Sequence, residues 1–409
     1  MALGIAEIIL LGLLADWLAR KARVPGLLGL LVLGILMGPY VLGFINAPTQ
    51  AVAADLRLIA LVVILLRSGF EISREALAKV GGRALLMAFI PCLCEVAVIT
   101  VAAPLLLGLT HVEAAILGSV LAAVSPAVVV PLMIRFIQEG KGAERAVPTL
   151  VLAGASCDDA VAIVLSGAFV GLYTGGEANL VQGLMSVPVS VVTGAAVGLA
   201  AGFLFYHFFK RFNPRATKRV LIILGCSILL LQAQPYIERV IPFSALIATM
   251  GIGFIILEIC GRTAHELSLK LGKIWLFAEL LLFTLVGAQV NLPVAWQAGF
   301  AGAGLIAIGL AGRCCGVQLC LFGSAFTLRE RLFITLAYLP KATVQAAIGA
   351  TPLLAMRQAG MPAAPGEIIL AIAVLSIILT APAGAFLIAW GGNHLLDTHP
   401  ETATSSTWK

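Results

Sequence analysis

Charge is what this sequence has least of. Lys, Arg, Asp and Glu make up 11% of its 409 residues, where soluble domains carry about a quarter. A chain so poor in charge cannot clothe a soluble surface, which excludes the soluble globular classes. The eight cysteines include no CxxC pair, so the usual zinc and redox spacings are missing. They read as small core residues in a reduced setting. There is no polar stretch long enough for a separate soluble domain. The net charge of +6 is spread over short loops and makes no nucleic-acid surface. No small-residue cleavage site follows the first apolar stretch. Leu3 to Ala19 runs straight into Arg20-Lys21-Ala22-Arg23 and reads as a first membrane helix.

What is abundant is apolar. Hydrophobic residues make up 61% of the chain and the mean hydropathy is +1.07. Apolar runs fall near 3–19, 26–44, 52–70, 84–107, 112–135, 147–173, 181–208, 219–233, 242–259, 275–291, 296–322, 331–356 and 366–391. The fold class is therefore an all-α polytopic membrane protein, with about thirteen transmembrane helices. The 42 glycines and 19 prolines suit close helix packing and interrupted helices. Most of the 26 basic residues lie in one alternate set of loops, among them Arg20 to Arg23, Arg67 to Arg83 and Lys210 to Arg219. The opposite set holds Arg57, Arg239 and Arg357. The positive-inside rule then puts the N-terminus outside and the C-terminus in the cytoplasm of a bacterial inner (plasma) membrane. Residues 392–409 form a short polar cytoplasmic tail.

Against this background, Asp158 and Asp159 stand out in "LAGASCDDAV", residues 152–161. An unpaired charge at mid-membrane costs at least about 2.5–3.5 kcal/mol, so such residues are functional by default. Glu95, Arg313 and Lys341 are equally deep, and Glu279 lies nearer a helix end. Glu7 and Asp16 read as first-helix residues that snorkel. Adjacent aspartates on a helix point about 100° apart, so one can face a water-filled cavity while the other faces a neighbouring helix. Carboxylates this close repel and share protons as a coupled pair, which is the chemistry needed for a proton and a cation to compete for one place. The bland alternative is a charge pair tying helices together. It accounts for one aspartate paired to Arg313 and leaves the other unexplained.

Two runs carry a proline at mid-membrane: "LAAVSPAVVVPLM", residues 121–133, and "LAYLPKATVQAAIG", residues 336–349. Pro126 and Pro340 each break a backbone ladder, and freed backbone groups survive at that depth where they line a cavity or are covered by protein. Both breaks have polar company, Ser125 at the first and Lys341, Thr343 and Gln345 at the second. The order repeats: Glu95 precedes Pro126 by 31 residues and Arg313 precedes Pro340 by 27. By the charge map the two segments, 84–173 and 296–391, run in opposite directions. Inverted repeats with a discontinuous helix in each point to a secondary transporter whose site lies at the midplane. Crossed broken helices bring half-helix ends together. Lys341 is placed to offset C-terminal ends, and Ser125 with exposed carbonyls can offer oxygen to a small hard cation.

The segments "LAGASCDDAVAIVL", "LGSVLAAVSPAVVVPLM", "LRLIALVVILLRSGFEI" and "LAYLPKATVQAAIGATPL" closely resemble the NHA subfamily of the monovalent cation/proton antiporters, across nearly the whole chain. The resemblance implies the sodium/proton antiporter fold: a dimerisation or scaffold domain, here 1–83 with 181–291, and a six-helix ion-transporting core domain, here 84–173 with 296–391. It implies a homodimer in the lipid bilayer, no cofactor, and exchange of Na+ or Li+ for H+ by elevator-like movement of the core. Asp159 would be the main cation and proton carboxylate, with Asp158 beside it and Ser125 near. Glu95, Arg313, Lys341, Pro126, Pro340 and Thr343 would support the buried charge and the helix breaks. Where electrogenic relatives carry a lysine paired with the first aspartate, this chain has Arg313. Arginine stays protonated, which points to electroneutral exchange and, with Glu95 as its partner, would leave Asp158 freer to titrate.

Other classes fit less well. A cation channel wants a filter of carbonyls or charged rings, and no TVGYG-like segment is present. An intramembrane aspartyl protease uses two aspartates on different helices sharing a proton; these two are adjacent, so the chain reads as a transporter and not an enzyme. A K+/H+ antiporter remains the alternative within the transporters.

Overall fold

The computed structural model describes residues 2–22, 26–70, 74, 78, 80–175 and 180–397. Among them lie seventeen helices and no strand. In chain order they are α1 (Ala2–Lys21), α2 (Gly26–Met37), α3 (Ala47–Ala51), α4 (Ala53–Gly69), α5 (Gly82–Leu107), α6 (His111–Leu121), α7 (Pro126–Gln138), α8 (Val147–Tyr173), α9 (Leu180–Phe212), α10 (Ala216–Ile237), α11 (Ala245–Ile259), α12 (Gly261–Gly287), α13 (Leu292–Leu321), α14 (Leu328–Ala337), α15 (Thr343–Ile348), α16 (Thr351–Gln358) and α17 (Ala364–His394). The reason for helix throughout is solvent: in hydrocarbon every backbone N–H and C=O must be satisfied within its own segment. α1, α5, α9, α10, α13 and α17 are long and apolar enough to cross a membrane by length and composition.

Several expected runs differ in detail. The run 112–135 is split into α6 and α7 by Ala122–Ser125, as Pro126 demands. The run 331–356 is split twice, before Thr343 and again at Gly349–Ala350. Pro352 in the first turn of α16 lacks the N–H that would continue the earlier ladder. The run expected at 275–291 begins at Gly261, because the charged turn Arg262–Lys273 continues as helix rather than loop. Arg57, counted with the outer loops, lies inside α4 and is 3% exposed. Residues 398–409 of the expected tail lie outside the described residues.

The chain divides into two compact units, one of residues 1–74 with 177–290 and another of residues 75–176 with 291–409. In the first, α9 lies backbone-to-backbone on α11. A Cβ on Gly198 would come within 2.7 Å of Ala248 Cα, a close approach that small residues permit. In the second, α5 and α13 are pressed together in the same way. A Cβ on Gly316 would lie 2.7 Å from Pro91 Cα, and one on Gly312 would lie 3.2 Å from the Cys94 carbonyl. That contact matters for the site, because α5 carries Glu95 and α13 carries Arg313. Gly316→Val will push backbone against backbone, which cannot yield as a side-chain tip can. We expect a loss of about 1–3 kcal/mol, read as a lower thermal midpoint of the purified protein. An unchanged midpoint would show that the two helices separate without penalty.

Candidate functional site

The second unit repeats one pattern: a long helix, a broken helix, a long helix. α5, α6–α7 and α8 make the first set; α13, α14–α15–α16 and α17 make the second. The two breaks meet, and much of the unwound segment Ala122–Ser125 finds its partners across the crossing. Ala122 N donates to Gly118 O within the last turn of α6, at 2.9 Å. The carbonyls of Leu121 and Ala123 accept from Gln345 Nε2 at 3.1 and 2.8 Å. Val124 N donates to Asp158 Oδ2 at 3.0 Å, and Ser125 N donates to the Pro340 carbonyl at 2.8 Å. At the second break, Lys341 N donates to Thr380 Oγ1 of α17 at 2.8 Å. Each break is thus held by the other break and by the helix that follows it. Pro126 opens α7; its side chain lies outside the described residues.

Five ionisable side chains are buried around this crossing. Arg313 and Asp158 are 0% exposed, Lys341 1%, Glu95 2% and Asp159 2%. Arg313 Nε donates to Glu95 Oε2 at 2.5 Å, so the structure brings that pair together. Both Nη atoms of Arg313 also reach Asp158 Oδ2, at 3.2 and 3.0 Å, and the guanidinium lies 5.9 Å from the Tyr338 ring centroid. Asp158 is therefore not left free by the Glu95–Arg313 pair. One guanidinium spans both carboxylates, because its forked donors can serve two acceptors at once. Lys341 also departs from expectation. Its ammonium donates to Glu95 Oε2 at 2.6 Å rather than to half-helix carbonyls, since a full carboxylate charge attracts it more than a partial dipole charge does.

The balance of charge follows. Arg313 and Lys341 are matched by Glu95 and Asp158. Asp159, the third carboxylate, pairs with no cation among the described residues. Its Oδ1 is buried without a hydrogen-bond partner, as are Asp158 Oδ1, Ser125 Oγ, Thr343 Oγ1 and Gln345 Oε1. All five are oxygens, and they belong to the two breaks and to the aspartate pair of α8. A buried, unbalanced carboxylate in a unit whose helix breaks carry unpartnered neutral oxygens is a place for a proton or a small hard cation.

Sequence reasoning missed how the broken helices are anchored. α6 and α14 both begin with a capping box, Thr110 with Glu113 and Thr327 with Glu330. Each capping glutamate also reaches an end of α8. Glu113 accepts from Tyr173 Oη at 2.6 Å, and Tyr173 is the last residue of that helix. Both oxygens of Glu330 accept from Arg145 Nη1 at 3.2 Å, two residues before α8 begins. The Thr-x-x-Glu spacing is a signal legible in the sequence, and its recurrence at 110–113 and 327–330 is a further mark of the internal repeat.

The profile of the family described as "Sodium/hydrogen exchanger, transmembrane" matches residues 8–390. The chain is 34% identical over 399 residues to sodium/hydrogen exchanger 9B2 of Homo sapiens, covering 95% of this chain and 72% of the relative. It is 29% identical over 388 residues to sodium/hydrogen exchanger 9B1 of Homo sapiens, covering 92% and 73%. Among solved structures it is similar to the sodium proton antiporter MjNhaP1 from Methanocaldococcus jannaschii at pH 8, with a TM-score of 0.82 at 21% identity, covering 96% of this chain and 97% of that one.

Proposed function

Since the chain belongs to the sodium/hydrogen exchanger family and exchanges Na+ for H+ across a lipid bilayer, we propose that Asp159 is the carboxylate at which the two ions compete. The observation that carries this reading is the charge balance. Two buried cations neutralise Glu95 and Asp158, and Asp159 is left over. Either a proton or a cation completes it, and the two exclude each other. Asp158 supports the site by holding Val124 N. Ser125 and Thr343 supply neutral oxygens, and Pro126 and Pro340 open the backbone. Li+ shares the hard-oxygen preference and is carried as well; K+ is the alternative cargo. The unit of residues 75–176 and 291–409 holds the five charges buried at the crossing and is the moving core of an elevator-like cycle. The other unit is the scaffold and the homodimer contact. By the positive-inside rule the N-terminus is outside and the C-terminus cytoplasmic, in a plasma membrane.

The same balance sets the stoichiometry. Arg313 keeps its charge at any working pH, and Lys341 is tied to Glu95, so the proton that leaves comes from Asp159 alone. One Na+ replaces one H+, and the core crosses with equal charge in both directions. In reconstituted vesicles with a pH dye, Na+ or Li+ added outside will release protons from the lumen at a rate that does not change when the membrane potential is clamped at different values. A potential that drives Na+ uptake against balanced ion and pH gradients would assign a second moving proton to Lys341 or Asp158 and end the one-for-one reading. Challenge with K+ in the same vesicles settles the alternative cargo.

A further inference from the structure

Gln345 is fully buried, at 0% exposure, and the orientation of its amide is set. Its two Nε2 hydrogens are both committed, one to the Leu121 carbonyl at 3.1 Å and one to the Ala123 carbonyl at 2.8 Å. Turning the amide over would put an oxygen against two carbonyl oxygens, so the assignment of N and O follows from the acceptors themselves. That leaves Oε1 buried with no partner. A buried carbonyl-type oxygen without a donor loses its hydration and gains nothing in return.

Where the oxygen sits gives the cost a purpose. Gln345 grips residues 121 and 123 of the unwound segment, while Asp158 grips residue 124 of the same segment. Asp159, the unbalanced carboxylate, is the next residue of α8. Thr343, two residues before Gln345, also has a buried oxygen without a partner. A donor would satisfy any one of these oxygens, yet the buried cations nearby are already matched to Glu95 and Asp158.

Resting on the reading of Asp159 as the ion-binding carboxylate, the geometry points to Gln345 Oε1 as a neutral oxygen ligand of the transported cation and a determinant of which cation is taken. The amide has two tasks on its two ends. Nε2 closes the first broken helix against the second. Oε1 replaces part of the hydration shell that Na+ or Li+ sheds on entry. Because the oxygen is held by two hydrogen bonds at the other end of the amide, it cannot follow an ion of different radius, and the site discriminates by size.

Two substitutions separate the tasks. Gln345→Met keeps the length and loses both the oxygen and the Nε2 donors, so the readout must separate the two tasks. In reconstituted vesicles its apparent KM for Na+ will rise about tenfold, and the ratio of its KM values for Na+, Li+ and K+ will move by about threefold or more. A latch with no ligand role would instead lower the maximal rate for all three ions and leave that ratio unchanged. Gln345→Lys keeps a donor for the two carbonyls, loses the oxygen and brings a cation to the crossing of the broken helices. It will fold, show no Na+-dependent rise in thermal midpoint, and fail to exchange. A Lys variant that binds Na+ with wild-type KM, or a Met variant whose three KM values are unchanged or scale together, overturns the proposal. Asp159→Asn run alongside distinguishes the failures: if that variant still exchanges, the site itself is misplaced; if it does not and the Gln345 variants behave as wild type, Gln345 alone is wrongly assigned.

Discussion

Asparagine at position 159 will reduce Na+-driven proton movement to the leak of empty vesicles, while the protein remains folded and its thermal midpoint stays equal or rises. The reasoning turns on what Asp159 lacks. It is 2% exposed and has no cationic partner among the described residues, so no ion pair is broken when its charge is removed. Burying such a charge costs about 2.5–3.5 kcal/mol by membrane-insertion measures, and the neutral amide removes that cost. Function is lost for the same reason that stability is spared, because asparagine can neither take up a proton nor balance Na+. Asp158→Asn should behave in the opposite sense. That carboxylate accepts from Arg313 and from Val124 N, so its loss takes one of the guanidinium's two carboxylates and loosens the unwound segment. Vesicle exchange assays and thermal unfolding of the two purified variants make the comparison. Wild-type exchange by Asp159→Asn would remove it from the site.

Much of this could be read before any coordinates, and the reason differs from residue to residue. Asp158, Asp159, Glu95, Arg313 and Lys341 were legible because a charge in an apolar run is costly wherever the chain puts it. The two breaks were legible because proline removes a backbone donor whatever its neighbours are. These are local penalties, visible in one dimension. Partnership is not. That Arg313 serves both Glu95 and Asp158, and that Lys341 turns to Glu95, depends on how α5, α8, α13 and the second break approach one another, and the approach of α5 and α13 depends on Gly312 and Gly316. The second interruption at Gly349–Ala350 was missed although Pro352 carries the same signal, a missing backbone donor just inside the restarted helix. Gln345 was visible as a polar residue after Pro340, but its role appears only once its amide is seen to face two carbonyls from the other repeat.

Glu95 is the residue whose removal should cost the most stability. Its Oε2 accepts from Arg313 Nε at 2.5 Å and from Lys341 Nζ at 2.6 Å, so Glu95→Gln takes a partner from two buried cations rather than one. Breaking a buried pair from one side costs about 3–5 kcal/mol, because the remaining charge is left without water or partner. Arg313 retains Asp158 and is partly spared; Lys341 loses its one ion-pair partner among the described residues and bears most of the loss. Three purified variants separate these contributions by thermal unfolding. Glu95→Gln should fall furthest. Adding Lys341→Gln to it should recover a substantial part, since the stranded ammonium goes with its partner. Exchanging the charges, Glu95→Arg with Arg313→Glu, should recover less, because Asp158 would lose the guanidinium that spans it. Glu95→Gln with an unchanged midpoint would mean that the two cations find other acceptors. The carboxylate would then be serving ion movement rather than the closure of α5 on α13, and the assignment of Asp159 as the one titrating group would fall with it.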